Sequence, residues 1–91
     1  MTLKDLLKCC LDENLILNVT ALAYFKEDKS YDSFRTICNK YCEEVRVKDY
    51  AEHFSEEDLA LEVKGFSYSN DTFWDDDIGT LWIDVIEWID T

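Results

Sequence analysis

Period-two alternation of apolar residues recurs in three stretches of this chain, and no other pattern limits its fold as tightly. From Leu15 to Phe25, Leu17, Val19, Ala21 and Ala23 alternate with Ile16, Asn18, Thr20 and Leu22. That is the length and composition of a strand with one face buried and the other mixed. From Leu59 to Tyr68, Leu59, Leu61 and Val63 alternate with Ala60, Glu62 and Lys64. Gly65 then marks a bulge after which Phe66 and Tyr68 change face. From Gly79 to Asp90, Leu81, Ile83 and Val85 alternate, although Asp84, Glu87 and Asp90 recur every three residues, as on a helix. Trp, Ile and Val dominate this third stretch and favour a strand, and Gly65 and Asp77 bracket an antiparallel return to it.

Helical spacing accounts for most of the rest. Thr2 is a good N-cap, Asp5 stands where a reciprocal cap is needed, and Leu3, Leu6, Leu7, Cys10 and Leu11 share a face, so a short helix is expected over Thr2 to Leu11. Lys26 to Ser30 reads as a charged loop. Phe34, Ile37, Cys38, Tyr41, Cys42 and Val45 fall at helical offsets and predict a helix over about 32–46. The competing reading divides that stretch into strand pieces around Thr36-Ile37-Cys38 and Val45-Arg46-Val47. Val47 to Phe54 reads as a short helical turn, with Ser55 to Asp58 as punctuation. The expected fold is α+β, a small antiparallel β-sheet packed against one or two helices, in a single domain over residues 1–91. A hydrophobic content of 47% is far above that of a disordered acidic chain, so a packed core is expected.

Charge is distributed unevenly over this frame. The formal net charge is −12. Residues 51–91 hold twelve acids against Lys64 alone, whereas the first 50 residues hold nine acids and eight bases. The acids concentrate at Glu56, Glu57 and Asp58 and at Asp71, Asp75, Asp76 and Asp77, two loops at opposite ends of the second strand. Glu62, Asp84, Glu87 and Asp90 could line the face between them. Strand spacing of roughly 3.3 Å per residue sets alternate carboxylates nearly 7 Å apart, comparable to the phosphate spacing of one DNA strand. Trp74, with Phe73 before it, adjoins the aspartate run. It reads either as the aromatic anchor of an interface or as a residue folded back on the core. Direct nucleic-acid binding is not expected of so anionic a chain.

Catalytic and metal chemistry find little support. His53 is the one histidine, beside Glu52 and with nothing local to orient it against a thiol, so no catalytic residue is assigned. Two well-separated glycines make no phosphate loop. The run Asn70 to Asp77 lacks the central glycine of a calcium loop, and Phe73 and Trp74 interrupt it. Cys9, Cys10, Cys38 and Cys42 read best as free thiols acting as small hydrophobes, with a four-thiolate zinc site and a disulfide as the sharper alternatives. No metal or cofactor is expected. The N-terminus has no apolar run of signal-peptide length and no stretch approaches a membrane span, so a soluble intracellular protein is expected, without membrane contact. The sequons at Asn18 and Asn70 then carry no meaning.

The succession Thr2-Leu3-Lys4-Asp5-Leu6-Leu7, an early strand, Val47-Lys48-Asp49-Tyr50, Leu61-Glu62-Val63-Lys64-Gly65-Phe66 and Gly79-Thr80-Leu81-Trp82-Ile83-Asp84-Val85 resembles the small acidic proteins encoded in phages and mobile elements of Gram-positive bacteria. Lys26 to Arg46 departs from the usual short hairpin. Some proteins of that neighbourhood are anti-CRISPR inhibitors. The resemblance implies a phage or mobile-element habitat more than an activity; the acidic loops beside Trp74 supply the activity, an inhibitor that occupies the basic nucleic-acid channel of a CRISPR effector nuclease, with Glu56, Glu57, Asp58, Asp71, Trp74, Asp75, Asp76 and Asp77 as partner-binding residues. The alternative is a small protein-interaction module, zinc-stabilised or not, without nucleic-acid mimicry.

Overall fold

The computed structural model describes residues 1–70 and 79–89. In chain order the elements are α1 (Leu3–Cys9), β1 (Ile16–Phe25), β2 (Ser30–Cys38), a 3-10 turn (Val47–Asp49) leading into α2 (Tyr50–His53), α3 (Glu56–Leu59), β3 (Glu62–Ser69) and β4 (Thr80–Ile89). The four strands form one sheet in the order β2-β1-β4-β3. The fold is α+β, as the patterning predicts.

Local signals set several elements. Thr2 Oγ1 accepts from the Asp5 backbone N–H, and the Asp5 carboxylate accepts from the Thr2 N–H, each at 3.2 Å. This reciprocal cap starts α1 and holds the Asp5 carboxyl below its ordinary range, through the Thr2 backbone first and its hydroxyl second. Leu3, Leu6 and Leu7 then turn inward and are buried. In β1 the alternation holds: Leu17, Val19, Ala21 and Ala23 are buried, and Ile16, Asn18, Thr20, Leu22 and Tyr24 are half-buried on the other side. The third alternating stretch is a strand. In β3, Lys64 is the extra residue of a bulge between the pairs Val63↔Val85 and Gly65↔Asp84, which returns Phe66 and Tyr68 to the face of Val63.

The helix expected over 32–46 does not form. Its first part is β2, paired with β1 across a hairpin whose turn includes Lys29 at φ 50°. Two register shifts explain the false helical spacing. Ile37 and Phe34 are extra residues between Cys38 and Thr36 and between Arg35 and Ser33, so period two is interrupted twice and apolar residues land at offsets of three and four. The chain then turns at Asn39, and Val45 to Val47 extends β1's pairing: Leu17 donates to the Val45 carbonyl at 2.8 Å and Val47 to the Leu15 carbonyl at 3.0 Å. The strand pieces of the competing reading are thus the ones that form.

The sheet is mixed rather than antiparallel throughout. β1 and β4 pair in parallel over all ten residues, from Ile16↔Thr80 to Phe25↔Ile89. These two strands carry the densest inward apolar sets, and placing them side by side makes one continuous core floor. β2 and β3, with Asp32, Arg35, Glu62 and Lys64, take the edges, where charges reach water. Leu3, Leu6, Leu7, Val45, Val47, Phe54 and Leu59 cover the floor of Leu17, Val19, Ala21, Leu81, Ile83 and Val85. Ile86 is buried too, but outside that cluster, on the opposite face of the sheet.

Candidate functional site

The predicted acidic residues are divided among different environments. Glu56, Glu57 and Asp58 lie on α3, a helical turn rather than a loop. Ser55 caps it, its hydroxyl accepting from the Asp58 N–H at 3.2 Å. Glu56 and Glu57 are exposed, and the structure gives them no cationic partner among the described residues. Asp58 is committed elsewhere. Arg35 Nη2 donates to Asp58 Oδ1 at 2.6 Å and to Glu87 Oε1 at 3.1 Å, while its Nε donates to Glu87 Oε2 at 3.3 Å. These bonds, Glu87's first and then Asp58's, raise the already high Arg35 pKa and clip α3 to β2 and β4. Asp71, Trp74, Asp75, Asp76, Asp77 and Asp90 lie outside the described residues.

The line of carboxylates expected between the two acidic runs splits between faces. An odd offset along a strand reverses the side chain, so Glu87 joins Arg35 on the core side while Asp84 points the other way. Glu62, opposite Ile86, shares Asp84's face.

That second face carries the site the sequence reading missed. None of the described helices packs on it. Tyr24, Tyr31 and Trp88 meet there, with Tyr24 centred 5.0 Å from Tyr31 and 5.1 Å, edge-on, from Trp88. Trp88 is 55% exposed and Tyr31 40% exposed. Lys64 Nζ lies 5.0 Å from the Tyr31 ring centre. At the other end Lys40 sits 5.2 Å from both Trp82 and Tyr41 and donates to Thr80 Oγ1 at 3.0 Å, while Trp82 Nε1 donates to Ser69 Oγ at 2.6 Å. Between the two aromatic groups stands Asp84, exposed on a central strand. Thr20 is its neighbour on β1, and Gly65, which has no side chain, is its neighbour on β3. Among the described residues its carboxylate has no hydrogen-bond or ionic partner. Parity alone marks this face: Tyr24 continues the even positions of β1, and Trp82, Asp84, Ile86 and Trp88 follow Thr80 at the even positions of β4.

The cysteines do not assemble. Cys38 is buried and donates to the Leu17 carbonyl at 3.2 Å, Cys9 and Cys42 are exposed, and Cys10 is half-buried. Among the described residues, no group of three or more His, Cys, Asp or Glu side chains is placed to hold a metal ion, so the four-thiolate arrangement is not formed. Burial first, and Glu43 second, push the Cys38 thiol up to about 11. His53 Nδ1 lies 3.3 Å from Glu43 Oε1 at the surface. No described helix is long and apolar enough to cross a membrane.

No family model, curated protein or solved structure matches the chain.

Proposed function

We propose that this protein is an acidic inhibitor, similar in action to anti-CRISPR proteins, that works in the bacterial cytoplasm by binding the basic nucleic-acid channel of an effector nuclease and blocking guide RNA or DNA. The observation that carries this reading is charge left unneutralised on a folded frame. The chain holds −12 overall, and the exposed carboxylates of Glu56, Glu57, Glu62 and Asp84 have no basic partner among the described residues. Channels lined by Arg and Lys recognise nucleic-acid backbone rather than sequence, and an array of fixed carboxylates competes for the same groups. Such association is steered by charge and weakens as salt rises.

The test is guided DNA cleavage by a panel of purified CRISPR effector nucleases, with the chain added before guide RNA, at 50 and 300 mM salt. Inhibition should occur with at least one effector and weaken at the higher salt. It should fall at least tenfold when Asp75, Asp76 and Asp77 are all replaced by Asn, or when Glu56→Gln is combined with Glu57→Gln. Full inhibition by both variants would refute charge mimicry.

The aromatic face favours a second reading, an interaction module without mimicry. That module would bind its partner with little dependence on salt.

A further inference from the structure

We propose that the open face of the sheet is the docking site for an arginine-bearing extended segment of the partner protein, with Asp84 receiving the guanidinium and the Tyr24, Tyr31 and Trp88 rings covering the residues beside it. The inference rests on the reading of the partner as a basic protein and names the surface that meets it.

Three observations converge. Asp84 is an exposed carboxylate in the middle of a four-stranded sheet, without a partner among the described residues. Gly65 beside it leaves the approach open, for even a β carbon there would meet nothing within 4 Å. Rings on this face attract positive charge within the chain itself, Lys64 over Tyr31 and Lys40 over Trp82 and Tyr41, while the Trp88 ring is exposed and has no such contact among the described residues. A guanidinium suits this surface better than an ammonium because it pairs with a carboxylate through two parallel N–H groups and stacks flat on an aromatic ring. Along β4, Asp84 and Trp88 are four residues apart, roughly 13 Å at strand spacing. An extended segment therefore spans both with an arginine and an apolar residue four positions away. The other occupants of an aromatic sheet face fit less well. A second copy brings a further −12, and nucleic acid brings phosphates against Asp84.

The experiment titrates the 15N-labelled chain with three probes at 50 mM salt: a twelve-residue peptide in which Arg and Leu stand four positions apart, the matching peptide with Glu in place of Arg, and a twelve-nucleotide poly-dT strand. The arginine peptide should bind, the other two should not, and the shifted amides should centre on β4 at Asp84 to Trp88 and on Tyr24 and Tyr31. Asp84→Asn, which keeps shape, and Trp88→Ala, at an exposed position, should each weaken binding at least fivefold, while Glu13→Gln, at an exposed acid outside both proposed surfaces, should change it less than twofold. If the arginine peptide binds but is weakened only by Glu56→Gln with Glu57→Gln on α3, the face is the wrong site and the basic-partner reading stands. If the arginine peptide does not bind, both fall. If poly-dT binds and shifts the same amides, the occupant is a single strand and the proposal is overturned.

Discussion

Replacing Arg35 with Met separates the charge contribution of the Arg35 clip from its packing. Arg35 holds Asp58 at 2.6 Å and Glu87 at 3.1 Å through the same nitrogen, so the two carboxylate oxygens stand no more than about 6 Å apart. Without the guanidinium they face each other. At a separation near 5 Å their repulsion is about 1 kcal/mol in water and about 3 kcal/mol at an effective dielectric of 20. The Asp58 and Glu87 side chains are 18% and 28% exposed, but Arg35 is 39% exposed, so solvent screens much of the interaction. The expected loss is about 1–2 kcal/mol at pH 7, read as a lower urea midpoint with unchanged slope.

The sign of the pH effect follows from the carboxylates. The repulsion exists only while both carboxylates are ionised, so the deficit is present at pH 7 and shrinks as acid protonates them. The gap between variant and parent should narrow by pH 4. Asp58→Asn added to Arg35→Met should restore part of the loss at pH 7. A gap of the same size at pH 4, or a second substitution that deepens the loss, would show that Arg35 acts through packing and not through charge.

Two further outcomes follow from single residues. Cys38 keeps its proton to about pH 11 in the folded chain against an ordinary 9.0. From pH 9 upward the unfolded chain therefore releases a proton that the folded chain retains, and stability falls by about 2–3 kcal/mol by pH 11. Urea melts of Cys38→Val should lack that increment, and an identical alkaline slope would rule the thiol out as its source. A β carbon at Gly79 would overlap the Tyr68 ring, but that ring is 59% exposed and free to swing outward. Gly79→Ala should therefore change stability by less than about 1 kcal/mol, because the smaller unfolded-state entropy of Ala offsets the displacement. The Tyr68 ring resonances should shift strongly, and a large loss of stability would mean the ring is pinned.

Where a pattern reports a local constraint, sequence and structure agree. The α1 cap needs only Thr2 and Asp5, three residues apart, and the inward set of β1 needs only alternation. The bulge at Lys64 was announced by Gly65 beside it. β2 was misread for the same kind of reason. A bulge is a decision made between two strands, and its two extra residues, Phe34 and Ile37, convert alternation into helical spacing when one strand is seen alone. The acidic residues were visible as types but not as environments. Asp58 and Glu56 differ only in that Arg35 approaches one of them from a strand 23 residues earlier in the chain.

By itself the sequence determined the class, α+β with an apolar core and an excess of negative charge, because alternation, capping and composition are properties of neighbouring residues. Tertiary structure alone decided which strands share the centre of the sheet, and that decision makes the open face. Pairing β1 with β4 in parallel register brings Tyr24 beside Trp88 and Thr20 beside Asp84 across more than sixty residues of chain. Contact at that separation depends on which strands can bury the most apolar surface together, a quantity summed over the whole chain and written in no single stretch of it.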